Sequence, residues 1–333
     1  MSLLPLNLLR YLIVCRVNAP MIWFSVNPGL EFSLVMGTLI TQSLPTVQAK
    51  PWKKAMLPWE EYGGIGGIKK KALKIVPDAT WPIESVLFCY PGKKAYGEGE
   101  PVLLELKLIG ENADHAYFLE VILPALEKSG RTVDRYWQTP NALWGKFDIQ
   151  SISVARGPVW EPFVENGGLD LHYKPTPSQW SENLDFNPHP KRRFRMLSWI
   201  TPFDLDPLET DEPKGKQGDK ITPEEIPSLR DILESFITRM NGLSTGKRGY
   251  STRFQDLLTE SDRQAFEAAL EDASTVQMQH SNFRSAAKLR PGRWIGRQQF
   301  SPIPESVLPY LSLASIFHIG RQTHFGCGTF ALF

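Results

Sequence analysis

An α+β fold built twice over is what this sequence predicts, and three observations predict it. Short alternating strands, with Leu104, Leu106 and Leu108 on one face of 102–109 and Glu105 and Lys107 on the other, share the chain with regularly spaced helices. The order strand, helix, strands occurs once in each half, the signature of a split βαβ unit. With 333 residues, 42% of them hydrophobic, the chain is long and apolar enough to build two cores.

The elements follow in order. Residues 8–26 are rich in Leu, Ile, Val, Trp and Phe and predict strands broken at Asn18-Ala19-Pro20; Pro28 then opens an apolar helix running to Leu44. Over 49–80 the pattern is irregular, with Trp52, Lys53, Lys54, a Gly63-Gly64-Ile65-Gly66-Gly67 run and Lys69 to Lys71, so a loop or small hairpin is expected. Strands at 86–90 and 102–109 flank the turn residues Pro91-Gly92 and Gly97 to Pro101. Asn112 or Asp114 caps a helix ending at Gly130, and Ala142 to Val154 supplies another strand. A Pro/Asn-rich connector over 158–190 separates a first domain, 1–157, from a second, 191–333.

The second domain opens on a strand at 194–200, followed by Thr201-Pro202 and a charged insertion over 204–220. Thr222-Pro223-Glu224-Glu225 reads as a capping box, and Ile226, Leu229, Ile232, Phe236, Ile237 and Met240 keep helical spacing behind it. Ser261 and Gln264 start another helix, to about Ala273, and 276–283 and 294–300 read as strands. At the end an apolar strand at Ile316 to His318, a loop with glycines at 320, 326 and 328, and a strand at 329–333 are expected. Glycines there admit positive φ, and consecutive free N–H groups beside Arg321 are a candidate phosphate cradle; a plain β-hairpin is the competing account. The element order thus predicts tandem ferredoxin-like (RRM-like) domains with a C-terminal glycine-rich loop.

Composition excludes several function classes. Three scattered cysteines make no disulfide framework, no Cys/His cluster has metal-ligand spacing, and a reducing, cytoplasmic setting is expected. Arg10 and Arg16 interrupt the apolar N-terminus, so neither a secretory leader nor a membrane span is expected. Net charge is +1, yet from Gln277 to Phe333 the basic residues Arg284, Lys288, Arg290, Arg293, Arg297 and Arg321 face Glu305 alone among acids. A near-neutral chain with one basic face still suits a polyanion. Lys191, Arg192 and Arg193 form a second basic cluster.

The words around the glycines are more specific. Pro309 and Leu311 precede His318, Gly320, Arg321, Thr323, Phe325, Gly326 and Gly328. This arrangement resembles the glycine-rich C-terminal motif of the CRISPR precursor-RNA processing endoribonucleases of the RAMP superfamily. Gly99-Glu100 and Leu108-Ile109-Gly110 resemble the first domain of that family. The resemblance implies a metal-independent endoribonuclease that needs no cofactor. Its reaction is attack of a ribose 2′-hydroxyl on the adjacent phosphorus, leaving a 2′,3′-cyclic phosphate and a 5′-hydroxyl. The implied partners are CRISPR repeat RNA, the processed guide RNA and other effector-complex subunits. A non-catalytic guide-RNA-binding subunit of the same superfamily is the alternative.

That chemistry needs proton carriers and stabilised phosphoryl charge. The family's N-terminal histidine has no counterpart here, since the first histidine is His115. His115, His280, His324 and Lys53 are the catalytic candidates, each also readable as a surface, packing or RNA-contacting residue. The RNA-binding candidates are Arg284, Lys288, Arg290, Arg293, Arg297, Gly320, Arg321, Thr323, Gly326 and Gly328, with Lys191, Arg192 and Arg193 beside them.

Overall fold

The computed structural model describes residues 6–61, 77–132, 142–165, 167–184, 193–205, 226–244, 254–286 and 291–333. The chain divides into two compact units, one over Leu6–Asn183 and one over Leu184–Phe333.

In the first unit β1 (Leu8–Val17) is followed by a small ribbon strand β2 (Met21–Trp23) and the helices α1 (Pro28–Ser43) and α2 (Thr46–Glu61). Then come β3 (Ser85–Cys89), β4 (Ala95–Gly97) and β5 (Pro101–Ile109). A helical turn, His115–Tyr117, passes through a π-helical segment, Phe118–Ile122, into α3 (Leu123–Arg131). The unit closes with β6 (Phe147–Arg156), β7 (Val159–Glu165) and β8 (Gly168–Leu169). The main sheet is antiparallel in the order β3-β5-β1-β6-β7-β8, and its first four strands, crossed by α1 and α3, are the ferredoxin-like arrangement. Register pairs Tyr11 with Leu106 and Ile13 with Leu104, so one face of both strands supplies the core.

The other sheet face carries charge. Arg10 Nε donates to Glu105 Oε1 at 2.7 Å, Tyr90 donates to Glu105 Oε2 at 2.7 Å, and Lys107 Nζ lies 3.8 Å from Oε1. Burial alone pushes the Glu105 carboxyl up, but Arg10, Lys107 and the hydrogen bonds outweigh it and hold the pKa at about 2. The Arg10 guanidinium also lies over the Trp160 ring, 5.1 Å from its centroid.

The expected loop over 49–80 is overturned at its start. Helix α2 runs through Lys53 to Glu61 despite Pro51 and Pro58 inside it, because Ala49, Trp52, Met56 and Trp59 form a buried stripe. Trp52 meets Trp81 with ring centroids 5.2 Å apart, and Trp59 Nε1 donates to the Ala79 carbonyl at 2.7 Å. The glycine run at 63–67 and Lys69 to Lys71 lie outside the described residues. Part of the expected connector is ordered too: β7, β8 and a 3-10 turn at Gln179–Ser181 belong to the first unit.

The second unit repeats the plan with β9 (Met196–Trp199), α4 (Leu229–Ser244), α5 (Glu260–Thr275), β10 (Met278–Ser281), β11 (Arg284–Ser285), β12 (Trp294–Ile295), β13 (Arg297–Phe300), α6 (Leu308–Phe317) and β14 (Phe330–Leu332). Its sheet order, β10-β13-β9-β14, is the same ferredoxin-like order. Helix α5 begins under the cap Thr259, whose Oγ1 accepts from Asp262 N at 3.2 Å, slightly earlier than Ser261 suggested. The capping box at 222–225 and most of the insertion lie outside the described residues.

The terminal hairpin is the second correction. Ile316 lies in α6 rather than in a strand, and β14 pairs with β9, so the segment is helix, loop and strand. Pro309 starts the helix, and nearly every face of it is buried (Leu308, Tyr310, Leu311, Leu313, Ala314, Phe317). Ser315 Oγ donates to the Phe330 carbonyl at 2.6 Å, tying helix to strand.

Candidate functional site

The loop 318–329 begins where α6 stops. His318 takes φ 57° and ψ 137°, a combination that costs a side-chain-bearing residue about 1–3 kcal/mol. Its buried ring is fixed by Nδ1, 2.9 Å from the Cys327 carbonyl oxygen; a carbonyl can only accept, so the proton sits on Nδ1. Ile319 N donates to the Gly328 carbonyl at 3.0 Å, pulling the two ends of the loop together. Between them lies a 3-10 turn, Thr323–Phe325, entered through Gln322 at φ 59° and left through Gly326 at φ 79°.

This geometry changes the account of the phosphate cradle. The N–H groups of Ile319, Arg321, Phe325, Gly326 and Gly328 donate to backbone oxygens of the protein, and that of Thr329 to Thr201 Oγ1. Those donors are committed to holding the loop in shape, so they do not form the run of free N–H groups that the sequence suggested.

A hairpin lies against the loop. Strands β11 and β12 pair Arg284 with Ile295 and Ser285 with Trp294, and Asn282 Oδ1 accepts from Arg297 N at 2.8 Å. Arg284 and Arg297 are exposed, and the Arg293 guanidinium lies 5.2 Å from the Trp294 ring centroid. The short segment after β9 grips both parts: Pro202 O accepts from Gly328 N at 2.9 Å, Phe203 O from Arg293 N at 2.9 Å, and Asp204 O from Arg321 N at 2.8 Å. Gly292 N donates to Gln322 Oε1 at 2.6 Å, a direct link between hairpin and loop. Arg284, Arg293 and Arg297 are thus joined to Gly320, Arg321, Thr323, Gly326 and Gly328 through one backbone framework. Arg193 is exposed just before β9, while Lys191, Arg192, Lys288 and Arg290 lie outside the described residues.

The catalytic candidates are placed very differently. His280 is exposed on the edge strand β10, two residues from Asn282. His324 is 4% exposed within the loop and packs edge-on against Phe325 at 5.0 Å. His115 lies in the first unit, half-buried, with Nδ1 3.1 Å from the Tyr11 hydroxyl; burial lowers its pKa, against the pull of Asp114. Lys53 is exposed on α2. Sequence reasoning missed Gln322, Asn282 and the Pro202–Asp204 segment. Gln322 occupies a variable slot of the glycine motif, and the other contributions are backbone carbonyls, which leave no mark on residue type.

Residues 197–330, within the second unit, match the family model described as CRISPR-associated endoribonuclease Cas6. The second unit is thus similar to that family over its matched residues. Among solved structures the chain is similar to a partial Cas6-RT-Cas1–Cas2 complex, at 14% identity and a TM-score of 0.52, over 99% of this chain and 47% of that one. A Cas6-RT-Cas1–Cas2 complex gives the same identity and TM-score, over 99% of this chain and 29% of that one. The chain thus spans about half the length of the first and under a third of the second. A Thermus thermophilus Cas6 aligns at 12% identity and a TM-score of 0.42, over 98% of this chain and 99% of that one. At these identities the likeness concerns the fold, two ferredoxin-like units of mixed helix and antiparallel sheet. No curated protein matches the sequence.

Proposed function

We propose that this protein is a metal-independent endoribonuclease that cleaves CRISPR repeat RNA and holds its product. The observation that carries the proposal is the coincidence of the Cas6 family match with the unit bearing the arginine hairpin and the strained, internally braced loop. Exposed Arg284 and Arg297, with Arg293, Lys288, Arg290 and Arg193, contact the phosphates of a stem or its flank, and Arg321 and Thr323 extend that contact from the loop. The 2′-oxygen loses its proton and attacks phosphorus in line, the P–O5′ bond breaks, and the 5′-oxygen takes up a proton. Of the four candidates the arrangement favours His280 as a proton carrier, because it is exposed on an edge strand, two residues before Asn282 and four before the exposed Arg284. His324, being buried, orients the loop. His115 and Lys53 are the first-unit candidates. Association with further effector subunits and action in the cytoplasm belong to the same proposal.

Purified protein should cleave an end-labelled repeat stem-loop in excess chelator, and a 2′-deoxy sugar at the cut site should abolish cleavage. His280→Ala should lower the cleavage rate roughly 100-fold or more while leaving RNA affinity nearly intact. Salt-sensitive binding with no cleavage would assign the chain to the non-catalytic guide-RNA-binding class, and failure to bind any repeat RNA would end both accounts. In a salt titration Arg284→Ala should weaken binding across unrelated repeats and reduce the slope of log affinity against log salt by about one. An unchanged slope would remove Arg284 from the phosphate contacts.

A further inference from the structure

The β2–β4 ribbon of the first unit presents an apolar surface that its own fold does not use. Register places Met21 opposite Gly97 and Trp23 opposite Ala95, while Ile22, paired with Tyr96, turns inward. Small residues facing large ones leave the large side chains uncovered: Met21 is 50% and Trp23 49% exposed, with Val26 at 74% just beyond. An indole held on a short strand and left bare is a cost to a monomer unless something stacks on it. Behind Trp23 runs a crevice bordered by Phe24, Pro28, Leu143 and Trp144, with about 10 Å³ of internal room, enough for one water. A flat aromatic group has no room inside the crevice and could only lie on its surface.

The charge around the ribbon narrows the occupant. Lys94 stands directly opposite Phe24, its carbonyl accepting from Phe24 N at 2.8 Å. Lys93 pairs with Glu100. Arg16 is the penultimate residue of β1, Lys146 comes two residues after the crevice residue Trp144, and α3 brings Lys128 and Arg131 to the same end, where Ser129 O accepts from Gly145 N at 2.7 Å. These six cations, one of them paired with Glu100, stand against Glu98, Glu100, Glu127 and Asp148, with Glu31 bordering the crevice, a small positive excess. An exposed indole and a thioether, in a rim of net positive charge, suit a stacked base whose phosphate runs over lysines.

We propose that Trp23, supported by Met21, is a stacking platform for an unpaired nucleotide of the RNA, with Lys94 and Arg16 contacting its backbone. This rests on the RNA-binding function proposed above and adds a contact by the first unit. It predicts a preference for RNA with a single-stranded flank over a bare stem-loop.

The test measures equilibrium binding of the full-length protein to two RNAs, a repeat stem-loop with a single-stranded flank and the same stem-loop without it. Trp23→Ala should weaken binding of the flanked RNA roughly 10- to 100-fold and leave the bare stem-loop unchanged. Trp23→Phe, which keeps an aromatic face, should recover most of the loss. Lys94→Ala should reduce the salt slope by about one, whereas Trp23→Ala should not alter it. A 2-aminopurine placed in the flank should lose its quenching with Trp23→Ala. Thermal melts of each variant establish that it is folded. If wild type binds both RNAs and folded Trp23→Ala binds them equally well, the platform is overturned while RNA binding stands; if wild type binds neither, the underlying function fails first. Equal loss on both RNAs, or a Trp23→Ala effect confined to association with another protein, also overturns it.

Discussion

Replacing Glu105 by alanine should destabilise the first unit by about 3–5 kcal/mol, one of the two largest effects expected of a single substitution here. Glu105 is 2% exposed, accepts from Arg10 and the Tyr90 hydroxyl, and has Lys107 Nζ 3.8 Å away as a second counter-ion. Removing it leaves two cations on neighbouring strands, in the Arg10–Lys107 register pair, with their common counter-charge gone. Glu105→Gln keeps the shape and one acceptor but not the charge, so it should recover only part of the loss. Urea unfolding of the full chain gives the measurement. A change below about 1 kcal/mol would mean that water screens the cluster.

The same carboxylate makes stability depend on pH with a fixed sign. Its folded pKa, about 2, lies below the ordinary carboxylate value of 4.5, so the unfolded chain takes up the proton first as pH falls. The stabilising contribution is fully present above about pH 4.5 and disappears as pH drops from there through about 2. Wild type should lose about 3 kcal/mol across that window beyond what Glu105→Gln loses, since a tenfold difference in proton affinity between the folded and unfolded chain is worth about 1.36 kcal/mol. Parallel acid titrations for the two proteins would remove Glu105 as the cause.

Much of this architecture was readable because local pattern and tertiary demand agree. The alternation of Leu104, Leu106 and Leu108 with Glu105 and Lys107 is the two-faced sheet seen in the fold, and Leu229, Ile232, Phe236 and Met240 line the buried side of α4. Where pattern failed, tertiary packing had overridden it. In α2, Pro51 and Pro58 each delete a backbone donor, yet the Trp52, Met56 and Trp59 stripe supplies enough buried apolar surface to keep the helix. Helix α6 is apolar on nearly every face, so it shows no periodicity to find, and its last turn at Ile316 reads as a strand. The candidate site was half legible. Its glycines and arginines are residue types that announce themselves, whereas Pro202, Phe203 and Asp204 act through carbonyls more than 80 residues upstream of the groups they hold.

Gly328→Ala should be the most damaging change in the second unit. The residue sits at φ +82°, and a Cβ there would run into the Ile319 carbonyl oxygen, the backbone that Gly328 itself holds through its own carbonyl. Strain and collision together should cost about 2–4 kcal/mol. Gly167→Ala is the matched control: φ is +78° there too, but nothing lies within 4 Å of the added carbon, so only the backbone cost, about 1 kcal/mol, remains. The damage at 328 should spread along the framework. Displacing Gly328 N from Pro202 O moves the segment whose next carbonyl holds Arg293 and Trp294. RNA affinity should therefore fall about tenfold or more in protein still folded at low temperature, an effect of about 1.4 kcal/mol. If Gly328→Ala lowers stability but binds RNA like wild type, the loop and the arginine hairpin are independent, and the contact to RNA rests on the hairpin alone.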